Sequence, residues 1–308
     1  MKNLLVIKDQ SNKAWSSSLK KLADECSNND FDIYNVFRGK KERVDLSNYR
    51  NIIINHSICF YYFIFKHGFK DKIIFIPHEG EPFLGWKFAF NKKQLNRCGA
   101  FLRFSKLYNK IPYYFSNETL LLSDIQRPLY PNANTINLLG IDSNVFKPES
   151  GIEKDVDIFF PSNISAPEKG FSRISHLLND YMVIYPENTP NDQMPNLYCR
   201  AKIVVIPSVF ETYGLVVLEA LFCNSVVLVS SNVGVVHELL KVYSESKLES
   251  MGLFISDFIS NDEIEMKVKC AMNFQKNNIT MTRKLALDFG FTYKDSARKL
   301  IEYVRCKN

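Results

Sequence analysis

Several protein classes are excluded by what this 308-residue chain lacks. Its seven cysteines (Cys26, Cys59, Cys98, Cys199, Cys223, Cys270, Cys306) are odd in number and scattered, and none are in C-x-x-C spacing. That speaks against a disulfide framework or zinc site and for a reducing compartment. No apolar run approaches the roughly 20 residues that a membrane-spanning helix needs. The opening MKNLLVIKDQ returns to charge after LLVI, so it reads as a buried strand rather than a signal peptide. Low-complexity tracts are absent. These absences point to a soluble, cytoplasmic chain. One further absence is local: from Pro82 to Asn117 there is no acidic residue.

What is present suits a large folded protein. Hydrophobic residues make up 46% and charged residues 23% of the chain, enough for a sizeable core without the charge excess of a disordered chain. The length suggests two domains. Charge is unevenly divided. Residues 1–147 hold 22 Lys and Arg against 13 Asp and Glu, while residues 148–308 hold 17 against 20. A basic half beside a mildly acidic half supports the two-domain reading and points the first half at an anionic partner.

Short apolar runs alternate with helical patterns. LLVI (4–7), DIYNVF (32–37), NIIIN (51–55) and KIIFIP (72–77) read as buried strands. DIFFP (157–161), YMVIYP (181–186), KIVVIP (202–207), VVLVS (226–230) and GLFI (252–255) repeat the scheme. These runs are rich in β-branched residues and lack period-two alternation, as expected of parallel strands covered on both faces. Strand–helix alternation predicts two α/β domains with parallel sheets. The polar, turn-rich stretch around 142–153 marks the join.

The stretch VVIPSVFETYGLVVLEAL carries the chemistry. A buried strand ends at Pro207, SVFETYG forms a loop, and LVVLEALF has helical spacing. Such a loop lies at the carboxyl end of a parallel strand and the amino end of a helix, where open α/β sheets bind ligands and helix amides favour anions. Gly214 permits close backbone approach. Glu211 falls before the helix and Glu219 about one turn into it. Carboxylates are poor anion ligands but strong acceptors for hydroxyls. A sugar nucleotide offers both kinds of group. A plain strand–turn–helix corner with two solvated glutamates would show the same spacing.

PSVFETYGLVVLEA resembles the hallmark of the retaining glycosyltransferases of family 4, P-S-x-x-E-x-(F/Y)-G-x-x-x-x-E-A. CNSVVLVSS and NVGVVHE follow in the family's order. NLLGIDSNVFKP (137–148) is similar to its hinge, APEKGF (166–171) to its P-E-K-G loop, and FTYKDSARKLIEYV (291–304) to its last helix. These pieces span residues 137–304; the first 130 residues show only the general pattern. The resemblance implies a GT-B fold of two facing Rossmann-like domains with parallel sheets. Residues 1–146 would form the acceptor-side domain, 147–290 a nucleotide-sugar domain, and 291–308 a helix returning to the first domain. It implies a metal-independent, cofactor-free retaining transfer from a UDP-, GDP- or ADP-sugar. Glu211 would bind the transferred sugar and Glu219 the ribose. Thr212 and the amides of Tyr213, Gly214 and Leu215 would line the diphosphate with Lys169. His78 matches a first-domain histidine that faces the donor. Base contacts would lie near Tyr185–Asn188. The chain departs from the pattern at Asn163, where the family commonly has arginine; Arg173 is near in sequence. The usual Gly-Gly is missing from KDQSNKAWS (8–16). Only 42 residues separate Lys169 from Glu211, so the second domain reads as trimmed.

The acid-free window holds Trp86, Lys87, Lys92, Lys93, Arg97 and Arg103 among interleaved aromatics, and ICFYYFIFKHGFK (58–70) precedes it. A cationic aromatic segment suits a membrane interface, an acceptor surface or a nucleic-acid groove; a core helix with a basic solvent face reads equally from the pattern. D-F-D (30–32) and D-V-D (155–157) imitate a metal motif but stand where strands begin, so no metal site is expected. Three functions stay open. One builds a bacterial surface polysaccharide or lipopolysaccharide on a glycan or lipid-linked acceptor at the inner membrane surface. One glycosylates hydroxylated bases in DNA. The last is a non-catalytic relative.

Overall fold

The computed structural model describes residues 1–8, 14–36, 44–85, 88, 97–186 and 189–307, apart from the side chains of 14–17, 97, 98, 100 and 101. Trp86, Lys87, Lys92, Lys93 and Asn188, named above, lie outside the described residues, as does most of the KDQSNKAWS loop. The chain divides into two units, residues 1–140 with 293–308, and residues 141–292.

Unit 1 is built on strands β1 (Lys2–Ile7), β2 (Phe31–Asn35), β3 (Tyr49–Asn55), β4 (Ile73–Ile76), β5 (Glu118–Leu121) and β6 (Asn134–Thr135). They form one sheet in the order β2-β1-β3-β4-β5-β6, and every pairing is parallel. Ile52, Ile53, Ile54 and Phe75 are fully buried, because helices cover both faces of such a sheet. Helix α1 (Ala14–Ser27) packs against the last helix of the chain, Tyr293–Cys306. Helices α2 (Ser57–His67), α3 (Arg97–Phe104) and α4 (Lys106–Phe115) follow β3 and β4. The sequence pattern showed four strands here. β5 and β6 escaped it because they are four and two residues long, too short for a period to emerge.

Unit 2 contains β7 (Val156–Phe159), β8 (Val183–Ile184), β9 (Ala201–Ile206), β10 (Val226–Ser230) and β11 (Leu253–Ser256), in the order β11-β10-β9-β7-β8. Again all pairs are parallel. All five expected strands are present, although YMVIYP yields only the two-residue edge strand β8. Between β7 and β9 the only α-helix among the described residues is α5 (Met194–Arg200). Helices α6 (Leu215–Phe222) and α7 (Gly234–Leu240) follow β9 and β10.

Strand order reverses once in each sheet, between β1 and β3 and between β7 and β9. The carboxyl ends beside such a reversal form the natural ligand crevice of an open α/β sheet. In unit 2 those ends lead into SNISAPEKG and PSVFETYG. In unit 1 they lead into the residues after β1 and into His56.

Candidate functional site

The site in unit 2 starts from two loops held against each other. Gly170 closes the PEK turn in a left-handed conformation (φ +76°). A Cβ there would lie 2.0 Å from the Pro207 carbonyl oxygen, so contact with the β9 loop requires glycine. The Val209 amide donates to the Glu168 carbonyl (2.9 Å), and Arg173 Nη1 donates to the Pro207 carbonyl (3.2 Å). On its other side the loop pairs with the segment after β10. The Glu211 amide donates to the Asn232 carbonyl, Gly234 donates to the Glu211 carbonyl (both 3.0 Å), and Val235 donates to the Tyr213 carbonyl (2.7 Å). Gly214 then opens α6 at φ +103°. A Cβ on Gly214 would lie 2.3 Å from Val233 Cγ1, so this corner too admits only glycine.

This scaffold brings together the charged residues singled out in the sequence. Lys169 Nζ lies 3.0 Å from Glu211 Oε1, and the same oxygen accepts from Ser208 Oγ at 2.6 Å. Glu219, on α6, is only 3% exposed and accepts from the Tyr198 hydroxyl at 2.7 Å. Burial pushes its carboxyl up to about 7. The Tyr198 hydrogen bond and Lys169 oppose the shift, and the charge of Glu211 reinforces it. Thr212 is half-buried in the loop, Tyr213 is buried, and Leu215 is the first residue of α6. A helix start leaves its first amides without intrahelical acceptors. The corner thus combines a cation, a helix amino end and two carboxylates, a set able to bind an anion and several hydroxyls.

Asn163 is engaged locally. Its Oδ1 accepts from the amide and hydroxyl of Ser165, both at 2.8 Å, and so closes a local turn. Arg173 does not simply replace the family's arginine, since it braces the Pro207 carbonyl. Sequence reasoning assigned no role to Ser208 or Tyr198. Ser208 was visible within the P-S motif; Tyr198 sits 21 residues before its partner and left no local signal.

His78 lies in unit 1, at the carboxyl end of β4. Its Nε2 is 2.8 Å from Asn55 Oδ1, and its ring lies 4.3 Å from that of His56. Burial holds His78 well below the usual imidazole range, and His56 adds to this. Glu79 completes the cluster. Its carboxylate accepts from the amides of Ser57 (2.7 Å) and His78 (3.1 Å) and lies 3.6 Å from His56 Nδ1. Burial alone would raise the Glu79 pKa, but hydrogen bonds from His56 and Ser57 hold it down to about 2.

Of the basic window, Arg103 is described: its Nη1 lies 3.4 Å from Glu81. Arg97 opens α3. The two D-x-D stretches are engaged in ion pairs. Asp32 binds Lys2 and the Tyr49 hydroxyl, Asp155 binds Arg200, and Asp157 binds Lys202 and the Met182 amide. Among the described residues no group of three His, Cys, Asp or Glu is arranged to hold a metal. No described helix is long and apolar enough to cross a membrane.

Residues 165–278, rather more than a third of the chain, match the family described as Glycosyl transferases group 1. No curated protein matches in sequence. Solved structures similar to the chain include sucrose-phosphate synthase from Thermosynechococcus elongatus, with 12% identity over 99% of both chains and a TM-score of 0.72. Another is Anabaena HepE in complex with UDP and glucose, with 13% identity over 99% of this chain and 100% of that one, and a TM-score of 0.66. The catalytic domain of Arabidopsis thaliana starch synthase IV, bound to ADP and acarbose, shares 10% identity over 99% of both chains at a TM-score of 0.65. With two parallel-sheet α/β units and these full-length likenesses, the chain has the GT-B fold.

Proposed function

We propose that this protein is a retaining glycosyltransferase that moves a sugar from a nucleotide-sugar donor to an acceptor hydroxyl. The observation that carries the reading is the Lys169–Glu211 pair at the amino end of α6, beside buried Glu219. The match of residues 165–278 to group 1 glycosyl transferases supports it.

In this reading the Lys169 ammonium and the amides of Tyr213, Gly214 and Leu215 stabilise the diphosphate as it leaves. Phosphate charge is met by these groups rather than by a metal or cofactor. Binding displaces Lys169 from Glu211, which frees that carboxylate to accept hydroxyls of the sugar; Ser208 holds it in place meanwhile. Glu219 accepts the ribose hydroxyls, most strongly when ionised. The departing phosphate takes the acceptor proton on the same face, so no protein nucleophile is needed, and rate comes from charge stabilisation and alignment. His78 is the unit 1 residue assigned to the donor by resemblance. The acceptor is a glycan or lipid-linked glycan of a bacterial surface polysaccharide, met at the cytoplasmic face of the membrane. The basic excess of residues 1–147 favours that assignment.

The test is a thermal-shift series with UDP, GDP and ADP, followed by donor turnover. A ligand at about 100 times its Kd stabilises the native state by roughly 2.7 kcal/mol, so one nucleoside diphosphate should raise the melting temperature clearly. Glu211→Ala should cut transfer by about 1,000-fold while leaving the circular dichroism unchanged. Absence of any shift, or wild-type turnover in Glu211→Ala, would overturn the assignment.

A further inference from the structure

Helix α2 of unit 1 is apolar on both sides. Cys59, Phe60 and Phe63 are buried against the sheet. Ile58, Tyr62 and Phe65 fall at i, i+4 and i+7 on the opposite side and are exposed, Phe65 to 94%. Phe69, just past the Gly68 cap, extends the stripe and is also exposed. Helix α4 widens it. Tyr61 and Tyr108 stack at 4.3 Å, and the Phe69 and Phe115 rings lie 5.2 Å apart. Leu107 is 71% exposed, and Tyr114 and Phe115 are more than half exposed. A folded chain gains nothing by turning this many rings to water, and a contiguous apolar face of this kind marks an interaction surface.

Charge identifies the occupant. Neither α2 nor α4 carries an acidic residue. Lys106 precedes Leu107, Lys70 follows Phe69, and Lys110 Nζ lies 5.5 Å over the Tyr114 ring, on the apolar face itself. A second copy of the chain would set one basic rim against another. An anionic bilayer satisfies both features, since rings enter the headgroup boundary while lysines reach lipid phosphates. We propose that the α2–α4 face docks on an anionic membrane surface, with Phe65, Phe69 and Leu107 inserted and Lys70, Lys106 and Lys110 on the phosphates. This deepens the reading above, in which the acceptor is met at a membrane, and rests on that reading for its purpose, while its observations come from unit 1 alone. It also shifts the weight of the sequence reading from residues 86–103 of the acid-free window to residues 58–70 and to the helix at 106–115, near the end of that window.

Co-sedimentation with phosphatidylcholine vesicles, with and without phosphatidylglycerol, tests the proposal. The wild-type chain should bind the anionic vesicles at least about tenfold more tightly. Phe65→Glu should weaken that binding by about tenfold at every salt concentration. Lys106→Glu should weaken it by about fivefold at low salt, with the difference fading as salt screens it. Phe65 makes so little contact that its variant should keep the wild-type melting temperature, which is measured alongside. Nucleoside diphosphate binding, a property of unit 2, is measured in the same preparations, so loss of one reading leaves the other visible. The proposal is overturned if anionic vesicles are not bound, or if Phe65→Glu binds them as well as wild type. A lipid-free dimer that Phe65→Glu dissociates would also overturn it and assign the face to a second copy.

Discussion

Glu79 and Glu219 are the same residue type in different settings, Glu79 in the loop after β4 and Glu219 within α6, the helix that follows β9. Their environments drive them in opposite directions. Glu79 accepts the Ser57 amide at the start of α2 and faces His56, so its carboxyl is held down to about 2. Glu219 sits among the apolar residues of α6 with one hydroxyl partner and a like charge nearby, and is pushed up to about 7. Burial is common to both; the number and sign of the partners decide the outcome. Unit 1 therefore uses its glutamate to fix structure, whereas unit 2 keeps one close to neutrality at the candidate site.

Four measurements can break or sharpen that contrast. The largest expected effect is on the unit 2 scaffold. Gly170→Ala should destabilise by about 2–4 kcal/mol in denaturant unfolding, because a Cβ meets the Pro207 carbonyl and the backbone is left-handed. Next, Lys169→Ala should weaken nucleoside diphosphate binding by about 10–100-fold in titration calorimetry, the cost of a charge-assisted phosphate contact; unchanged affinity would remove Lys169 from the site. Glu79→Gln should cost about 1–3 kcal/mol at neutral pH without altering that affinity. A depressed carboxyl stabilises the fold fully above about 4.5 and loses the effect as pH falls toward about 2, so the variant and wild type should converge on acidification.

The smallest effect separates the two glutamates most directly. A raised carboxyl costs nothing below about 4.5, costs increasingly as pH climbs, and costs its full amount above about 7. Glu219→Gln should therefore match wild type in acid and exceed its stability above pH 7, by about 1–2 kcal/mol. Nucleoside diphosphate binding by wild type should strengthen as pH rises through 7, and the variant should lose that dependence. Parallel pH slopes for Glu79→Gln and Glu219→Gln would dissolve the comparison.

The corner at 207–222 was legible because its signals are local. Pro207 ends a β-branched run, Gly214 marks a left-handed corner, and the two glutamates interrupt apolar spacing. Lys169 and Glu211 were named separately, each from its own loop, and the resemblance supplied their shared ligand. The burial of Glu219 was not legible, because its partner Tyr198 belongs to another helix. The cluster around His78 was legible only as one histidine. Asn55, His56 and Glu79 converge on it from the ends of two neighbouring strands, and His56 does so at a φ of +71°, a left-handed backbone that a histidine does not advertise. The outward stripe of α2 was half visible: ICFYYFIFKHGFK reads as aromatic throughout, and nothing in it says which rings face water.

By itself the sequence determined the fold class, since buried parallel strands must be apolar throughout and must alternate with helices. It also marked the corner of unit 2 that forms the candidate site, because glycine at a left-handed corner and charge at a helix start are features of single positions. Tertiary structure decided the ionisation of Glu79 and Glu219, the coupling of Lys169 to Glu211, and which aromatic rings of α2 remain exposed. Each of these depends on groups distant in sequence, and energies of burial and pairing exist only once packing brings those groups within a few ångströms.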